Sequence, residues 1–169
     1  MQRVAETTRT GVTDQQRAAF AAFYQRHGDE VLRALSVTLG DQELGRDATQ
    51  EAMARAWRSW DQVRAYRNPA GWVYRVGLNW GRSHFRRVSR ELLGKAHERH
   101  SRDPAPDDPA LVKALATLPH SHRAVVVLRL YLDWSVEEVA EALGIPAGTV
   151  RSRQHTAVAK LRQRLEARS

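Results

Sequence analysis

SVEEVAEALGIPAGTVRSRQHTAVAKLRQRL, from Ser135 to Leu165, decides how this chain is read. Ser135 followed by Glu138 is a capping box, in which a hydroxyl and a carboxylate each satisfy an open backbone N–H of a first helical turn. Val136, Val139, Ala140 and Leu143 then recur at helical spacing on one side, with Glu137, Glu138 and Glu141 on the other. Gly144 ends this helix, since the left-handed C′ conformation carries no Cβ clash for glycine. Ile145 is a buried turn residue, and Pro146 suits the opening turn of a second helix. That helix carries Val150, Val158, Leu161 and Leu165 on one face and Arg151, Arg153, Lys160, Arg162 and Arg164 elsewhere. A helix, a glycine turn and a basic second helix form the helix-turn-helix pattern that enters the DNA major groove. An ordinary helical hairpin with solvated arginines has the same spacing. The contrast between an acidic first helix and a basic second one favours DNA, and the rest of the chain must decide.

The 169 residues carry a net charge of +8, which implies a polyanionic partner. The excess is concentrated in two places: Arg82, Arg86, Arg87 and Arg90 with no acid among them, and the tail after Ile145. Two separate basic sites point to two contacts along one extended polyanion. The absence of cysteine excludes disulfides, thiolate chemistry and Cys-containing zinc sites. No apolar run approaches the roughly 20 residues of a membrane span, and the N-terminus lacks a signal peptide's apolar core. A soluble, cytoplasmic chain is expected.

Residues 1–12 are polar and are expected to be disordered. Thr13 with Gln16 is a second capping-box signal, opening a helix that buries Ala19, Phe20 and Phe23 and continues past Gly28 to Leu39. Asp41 caps the next helix, expected from about Gln42 to Trp60, where Leu44, Ala48, Ala52, Ala56 and Trp60 trace an i, i+4 stripe. Its polar edge, with Asp47, Gln50, Glu51 and Arg55, reads by itself as solvated charge pairs. Asn68 as N-cap and Pro69 at N1 begin a further helix in which Trp72, Tyr74, Trp80 and Phe85 alternate with arginines. Aromatics interleaved with arginine suit single-stranded nucleic acid. Trp72 and Val76 are expected in the core, while Tyr74 and Trp80 fit either core or base stacking. Gly77 and Gly81 would allow close packing against a neighbouring helix. HERHSRDPAPDDP, covering the end of a linker at 92–108 and the proline that follows it, has three prolines and few apolar residues. Asp108 and Pro109 open a second domain, residues 109–169, whose Val-rich run from Arg123 to Leu132 reads as a buried helix. The first domain spans residues 13–91. The expected fold is all-α, two small helical domains on a flexible linker.

Taken together, the chain resembles the extracytoplasmic-function type, group IV, of the bacterial sigma-70 family. Three blocks carry the resemblance: RDATQEAMARAW, RNPAGWVYRVGLNWGRSHFRR, and LPHSHRAVVVLRLYLDWSVEEVAEALGIPAGTVRSRQHTAVAKLR. Arg46 departs from the acid often found at its place in the family, and Thr49 from an aliphatic. The resemblance implies that Asp47, Gln50, Glu51 and Arg55, supported by Trp57, dock on the β′ clamp helices of core RNA polymerase. It implies that Asn79 lines a pocket for a flipped base of the −10 promoter element, with Tyr66 and Asn68 beside it and Arg82, Arg86 and Arg87 along the backbone. It also assigns Arg151, Ser152 and His155 to the −35 major groove, with Thr149 and Arg153 near phosphate.

The implied partners are core polymerase (β′ and β subunits), promoter DNA and an anti-sigma factor that would hold the otherwise monomeric chain as a heterodimer. No membrane insertion, catalytic group, cofactor or metal is expected. One rival is a stand-alone helix-turn-helix regulator, which would normally need dimer symmetry. A second is a metal-dependent nucleic-acid enzyme using His97, His100, His120 and His122.

Overall fold

In the computed structural model, residues 2–91 and 108–167 are described, with side chains from Asp14 onward, and the described residues contain helices and no strand. Helix α1 spans Gln2–Leu39, α2 Gln42–Arg58, α3 Trp60–Val63 and α4 Pro69–Glu91. Beyond the linker, α5 spans Pro109–Ala116 and α6 His120–Val126, continued by a π-helical segment Val127–Tyr131. The hairpin is α7, Val136–Leu143, and α8, Ala147–Glu166. His97, His100 and the prolines of the linker lie outside the described residues.

Two expectations at the N-terminal end are corrected. The helix does not start at Thr13: it already runs from Gln2, through the stretch expected to be disordered. Extending an existing helix fixes one residue per hydrogen bond, whereas a new nucleus fixes several, so polar residues can follow a long helix backward. The α2 helix also stops at Arg58 rather than Trp60. Ser59 leaves helical geometry and caps the single turn of α3, which still buries Trp60 and Val63.

Three helices build the first unit. Val31, Ala34 and Leu35 of α1, Ala48, Ala52 and Ala56 of α2, and Val73, Tyr74 and Leu78 of α4 are buried together. Burying a side chain the size of Leu35 contributes roughly 1.5–3 kcal/mol. Glycine brings the backbones close. A Cβ on Gly45 would lie 2.6 Å from the Ser36 Cα, and one on Gly77 would lie 2.6 Å from Leu35 Cδ1. The capping signals hold: the Asp41 carboxylate accepts from the Leu44 N–H at 2.9 Å, and the Asn68 side chain accepts from the Gly71 N–H at 2.9 Å.

In the second unit, Asp108 caps α5 through the Ala110 N–H at 2.8 Å. The hairpin forms as its sequence dictates. Ser135 and Glu138 complete the capping box, and Gly144 takes the left-handed conformation at φ 64°. The Val-rich run is helical but buried only from Arg123 to Leu128; Leu130 and Tyr131 are exposed, because the run ends in π geometry, with the Leu132 N–H reaching the Val127 carbonyl, at the edge of the core. Ala114, Leu115, Leu118, Val126, Ala157 and Leu161 form a small core between α5, α6 and α8. Val125, Leu128, Val139 and Val150 belong instead to the cluster built on α1, α2 and α4. The two units therefore share a continuous core.

Candidate nucleic-acid interface

On α2, the buried stripe of Leu44, Ala48, Ala52 and Ala56 turns the opposite edge outward. Asp47, Gln50, Arg55 and Trp57 are exposed there and Glu51 is half-buried. The Arg55 Nε donates to the Glu51 carboxylate at 2.7 Å. Trp57 rests on the Phe20 ring, centroids 5.2 Å apart, so its position is set by an aromatic cluster that includes Phe23 and Trp60. A rigid helix edge with charges in fixed register can discriminate a partner helix by position as well as by sign.

Farther along the chain, the loop before α4 and the first turns of that helix enclose a cavity of about 420 Å³. Tyr66, Asn68 and Asn79 all line it, so three residues singled out in the sequence converge on one space. Trp72 and Val76, expected in the core, line it too and are only partly buried. Tyr74 is the fully buried aromatic of α4. Its hydroxyl and that of Thr38 share a hydrogen bond of 2.7 Å, and burial drives its pKa well above the ordinary phenol value. Arg75 completes this side of the cavity. Trp72, Arg75 and Val76 stand four, seven and eight residues after Asn68, the spacing of one helix face. That spacing is visible in the sequence alone. Glu141 and Ala142 of α7 form the remaining wall, which no local pattern could reveal.

Beyond Asn79, α4 becomes a basic track. Arg82, Arg86 and Arg87 are exposed. The Trp80 and His84 rings stack at 4.9 Å with 13° between their planes. A flat cavity-lining face followed by exposed guanidinium groups suits a base held out of its stack with its phosphates tracking along the helix.

On α8, Arg151, Ser152 and His155 lie exposed on one face, where Gln154, Val158 and Arg162 join Arg151 and His155 around a shallow recess. Thr149 and Arg153 lie roughly half a turn away on this helix. Both are partly buried, and Arg153 is close enough to His122 to depress its pKa, after the larger effect of burial. The five residues are therefore split between an outward group of three and an inward-leaning pair. The Arg151 guanidinium is held within 3.4 Å of Glu137 on α7. Among the described residues no group of three or more metal-ligating side chains occurs, and no helix is long and apolar enough to cross a membrane.

Comparison with known proteins places two family models on these units. Sigma-70 region 2 matches residues 23–91 and sigma-70 region 4 matches residues 114–163. The chain is 33% identical over 154 residues to the RNA polymerase sigma-E factor of Streptomyces avermitilis, covering 88% of this chain and 86% of that protein. It is 29% identical over 167 residues to the ECF RNA polymerase sigma factor SigL of Mycobacterium tuberculosis, covering 93% and 94%. Among solved structures, CnrH in complex with the cytosolic domain of CnrY is similar with a TM-score of 0.65 and 28% identity, over 90% of this chain and 91% of that one. The sigma factor RpoE bound to the anti-sigma factor NepR, from Bartonella quintana, shares the fold with a TM-score of 0.68 and 23% identity, over 86% and 97%.

Proposed function

The chain belongs to the sigma-70 family, as an RNA polymerase sigma factor of the extracytoplasmic-function type, and on that premise we propose how its three surfaces divide the work. The edge of α2 with Asp47, Gln50, Glu51, Arg55 and Trp57 docks on the β′ clamp helices of core polymerase. The cavity lined by Tyr66, Asn68 and Asn79 receives an unstacked base of the −10 element, and Arg82, Arg86 and Arg87 hold the strand that leads to it. Arg151, Ser152 and His155 read the −35 duplex from the major groove, with Thr149 and Arg153 supplying phosphate contact nearby. Region 2 corresponds to residues 13–91 and region 4 to residues 109–169.

The observation that carries this reading is the convergence of Tyr66, Asn68 and Asn79 on one cavity at the head of a track of exposed arginines. Extruding a base costs a few kcal/mol, so such a pocket works only on a strand that polymerase is already opening. The chain itself performs no bond chemistry; core polymerase supplies it, which also places the protein in the cytoplasm. An anti-sigma protein that covers these surfaces is a further partner. Support for it comes from the likeness to CnrH, solved in complex with the cytosolic domain of CnrY, and from a fold shared with an RpoE chain solved in complex with an anti-sigma factor.

Run-off transcription with purified core polymerase and a genomic promoter library tests the reading. Initiation from a small promoter set is expected. Tight duplex binding by the free chain with no promoter fired would refute it.

A further inference from the structure

The recess on α8 that Arg151 and His155 border has a third polar wall in the half-buried Gln154. Arg151, Gln154 and His155 follow one another at i, i+3 and i+4, the spacing of a single helix face. The Arg129 Nε donates to the Gln154 side-chain oxygen at 3.1 Å. A guanidinium has donors and no acceptor, so the amide atom that meets it is the oxygen and the group is not free to turn over. The Gln154 Nε2, with its two N–H groups, is left without a partner among the described residues. A glutamine free to rotate offers a donor and an acceptor together, which suits the N6 and N7 edge of adenine. Gln154 is held by its oxygen and offers donors.

An unusual turn builds that hold. Arg129 lies in the π-helical segment Val127–Tyr131, whose turns take one residue more than α-turns and which is a geometry found often at functional sites. The chain then folds back on the segment: the Leu132 N–H reaches the Val127 carbonyl and the Trp134 N–H the Leu128 carbonyl, both at 3.1 Å. Between them Asp133 takes the left-handed conformation at φ 53°, uncommon for a residue with a Cβ. This reversal brings the Trp134 carbonyl to the Arg129 Nη1. The guanidinium is thus held by backbone on one side and meets Gln154 on the other, and no carboxylate competes for it among the described residues.

We propose that Gln154 determines specificity at the −35 duplex as a side chain that only donates, and that Arg129 is the residue that positions it. This rests on the assignment of the exposed α8 face to the −35 major groove. The base edge that Gln154 takes is a hydrogen-bond acceptor: N7 of a purine, O6 of guanine or O4 of thymine. The exocyclic amino groups of adenine and cytosine set donor against donor and are refused. Arg151 beside it has the same donor character, so the two side chains together select acceptors along the groove floor. Promoter choice then depends on the π turn as well as on the recognition helix.

Promoters carrying a randomised −35 segment, transcribed by core polymerase with the full-length chain, test this. Gln154→Ala should lower the preference at one base pair by about tenfold and leave the pair that Arg151→Ala affects unchanged. Base analogues at that pair then identify the contact. Its acceptors are removed one at a time, with a deazapurine lacking N7, an aminopurine lacking O6 or a thymine analogue lacking O4. Its amino group is removed with a purine or pyrimidine that lacks it. Loss of one acceptor should cost the parent about fivefold to tenfold and cost Gln154→Ala nothing, whereas loss of the amino group should affect both chains alike. Arg129→Met frees the amide and should make the amino group matter at that same pair; Arg129→Lys, which keeps a donor beside the oxygen, should restore the parental pattern. Unchanged preference in Gln154→Ala while Arg151→Ala alters its own pair overturns the inference. So does a cost of amino removal that the parent shows and Gln154→Ala lacks. Even weakening of every −35 pair by Arg129→Met, or no change at all, overturns the positioning role. If neither Gln154→Ala nor Arg151→Ala alters any −35 pair, the assignment of α8 to the −35 element falls, and this inference with it.

Discussion

The Arg123 guanidinium donates to the Thr38 carbonyl at 3.0 Å, joining residues 85 positions apart and tying the last turn of α1 to the second unit. The geometry depends on Gly40, at φ 71°, where an added Cβ would stand 3.1 Å from the Arg123 Nη1. Burial draws the guanidinium pKa below its ordinary value, and the neighbouring Tyr74 phenol acts weakly in the other direction.

Arg123→Ala should therefore destabilise the protein by about 2–4 kcal/mol, since it leaves buried carbonyls unpaired and opens a void. Urea unfolding would measure it. Arg123→Lys should recover only a minor part, because one ammonium cannot serve carbonyls of Thr38, Ala116 and Leu118 as a planar fork does. Equal stability of the Ala and Lys variants and the parent would mean that the contact is energetically idle.

Acidification should loosen the same contact. The His120 pKa lies below the ordinary 6.5 because of burial first and the adjacent Arg123 second, with Arg82 adding a smaller push and the Thr38 carbonyl opposing them. A histidine depressed on folding binds fewer protons folded than unfolded, so its contribution is present above the ordinary value and is lost as pH falls below about 6.5. Unfolding free energy should decline through that window, and His120→Gln should flatten the decline. An identical pH profile in the variant would assign the effect elsewhere.

Gly45→Ala should cost more than about 1 kcal/mol, although alanine is the better helix former. The new methyl would meet the Ser36 Cα at 2.6 Å and N at 2.8 Å, and backbone cannot step aside as a side-chain tip can. Thermal unfolding would show a lower midpoint. A raised midpoint would mean that α1 and α2 are less closely packed than described.

The proposed division of labour should make Arg151→Ala and Glu51→Ala separable. Loss of an arginine bidentate to guanine costs about 1–3 kcal/mol of discrimination at a −35 duplex and leaves affinity for core polymerase intact. Removing Glu51 breaks an intrahelical pair with Arg55 that contributes a few tenths of a kcal/mol to stability, so its main effect should fall on core binding. Duplex gel shifts and core pull-downs distinguish the two. Parallel losses in both assays for both variants would dissolve the assignment.

Much of the architecture was legible along the chain because it rests on short-range physics. Ser135 and Glu138 lie three residues apart, and Asn68, Pro69, Asp108, Pro109 and Gly144 act on their own helix ends. The α2 stripe follows from helical period alone, and so does the outward band of Asp47, Gln50 and Arg55. Local rules failed where helix boundaries depend on cooperative extension, as in the run of α1 back to Gln2. They failed again at Trp72 and Val76, because an apolar residue on a helix can face either a core or a cavity and periodicity does not say which.

The all-α chain, its caps and turn, the basic faces of α4 and α8, and the family are written in the sequence. These depend on residue type and spacing within a few turns. That Arg123 is buried against Thr38, that Gly71 meets Ala142, and that Glu141 walls the cavity of Asn79 follow from the packed chain alone. Such contacts join positions 60 or more residues apart, where loop closure erases any periodic trace and packing alone selects the partner.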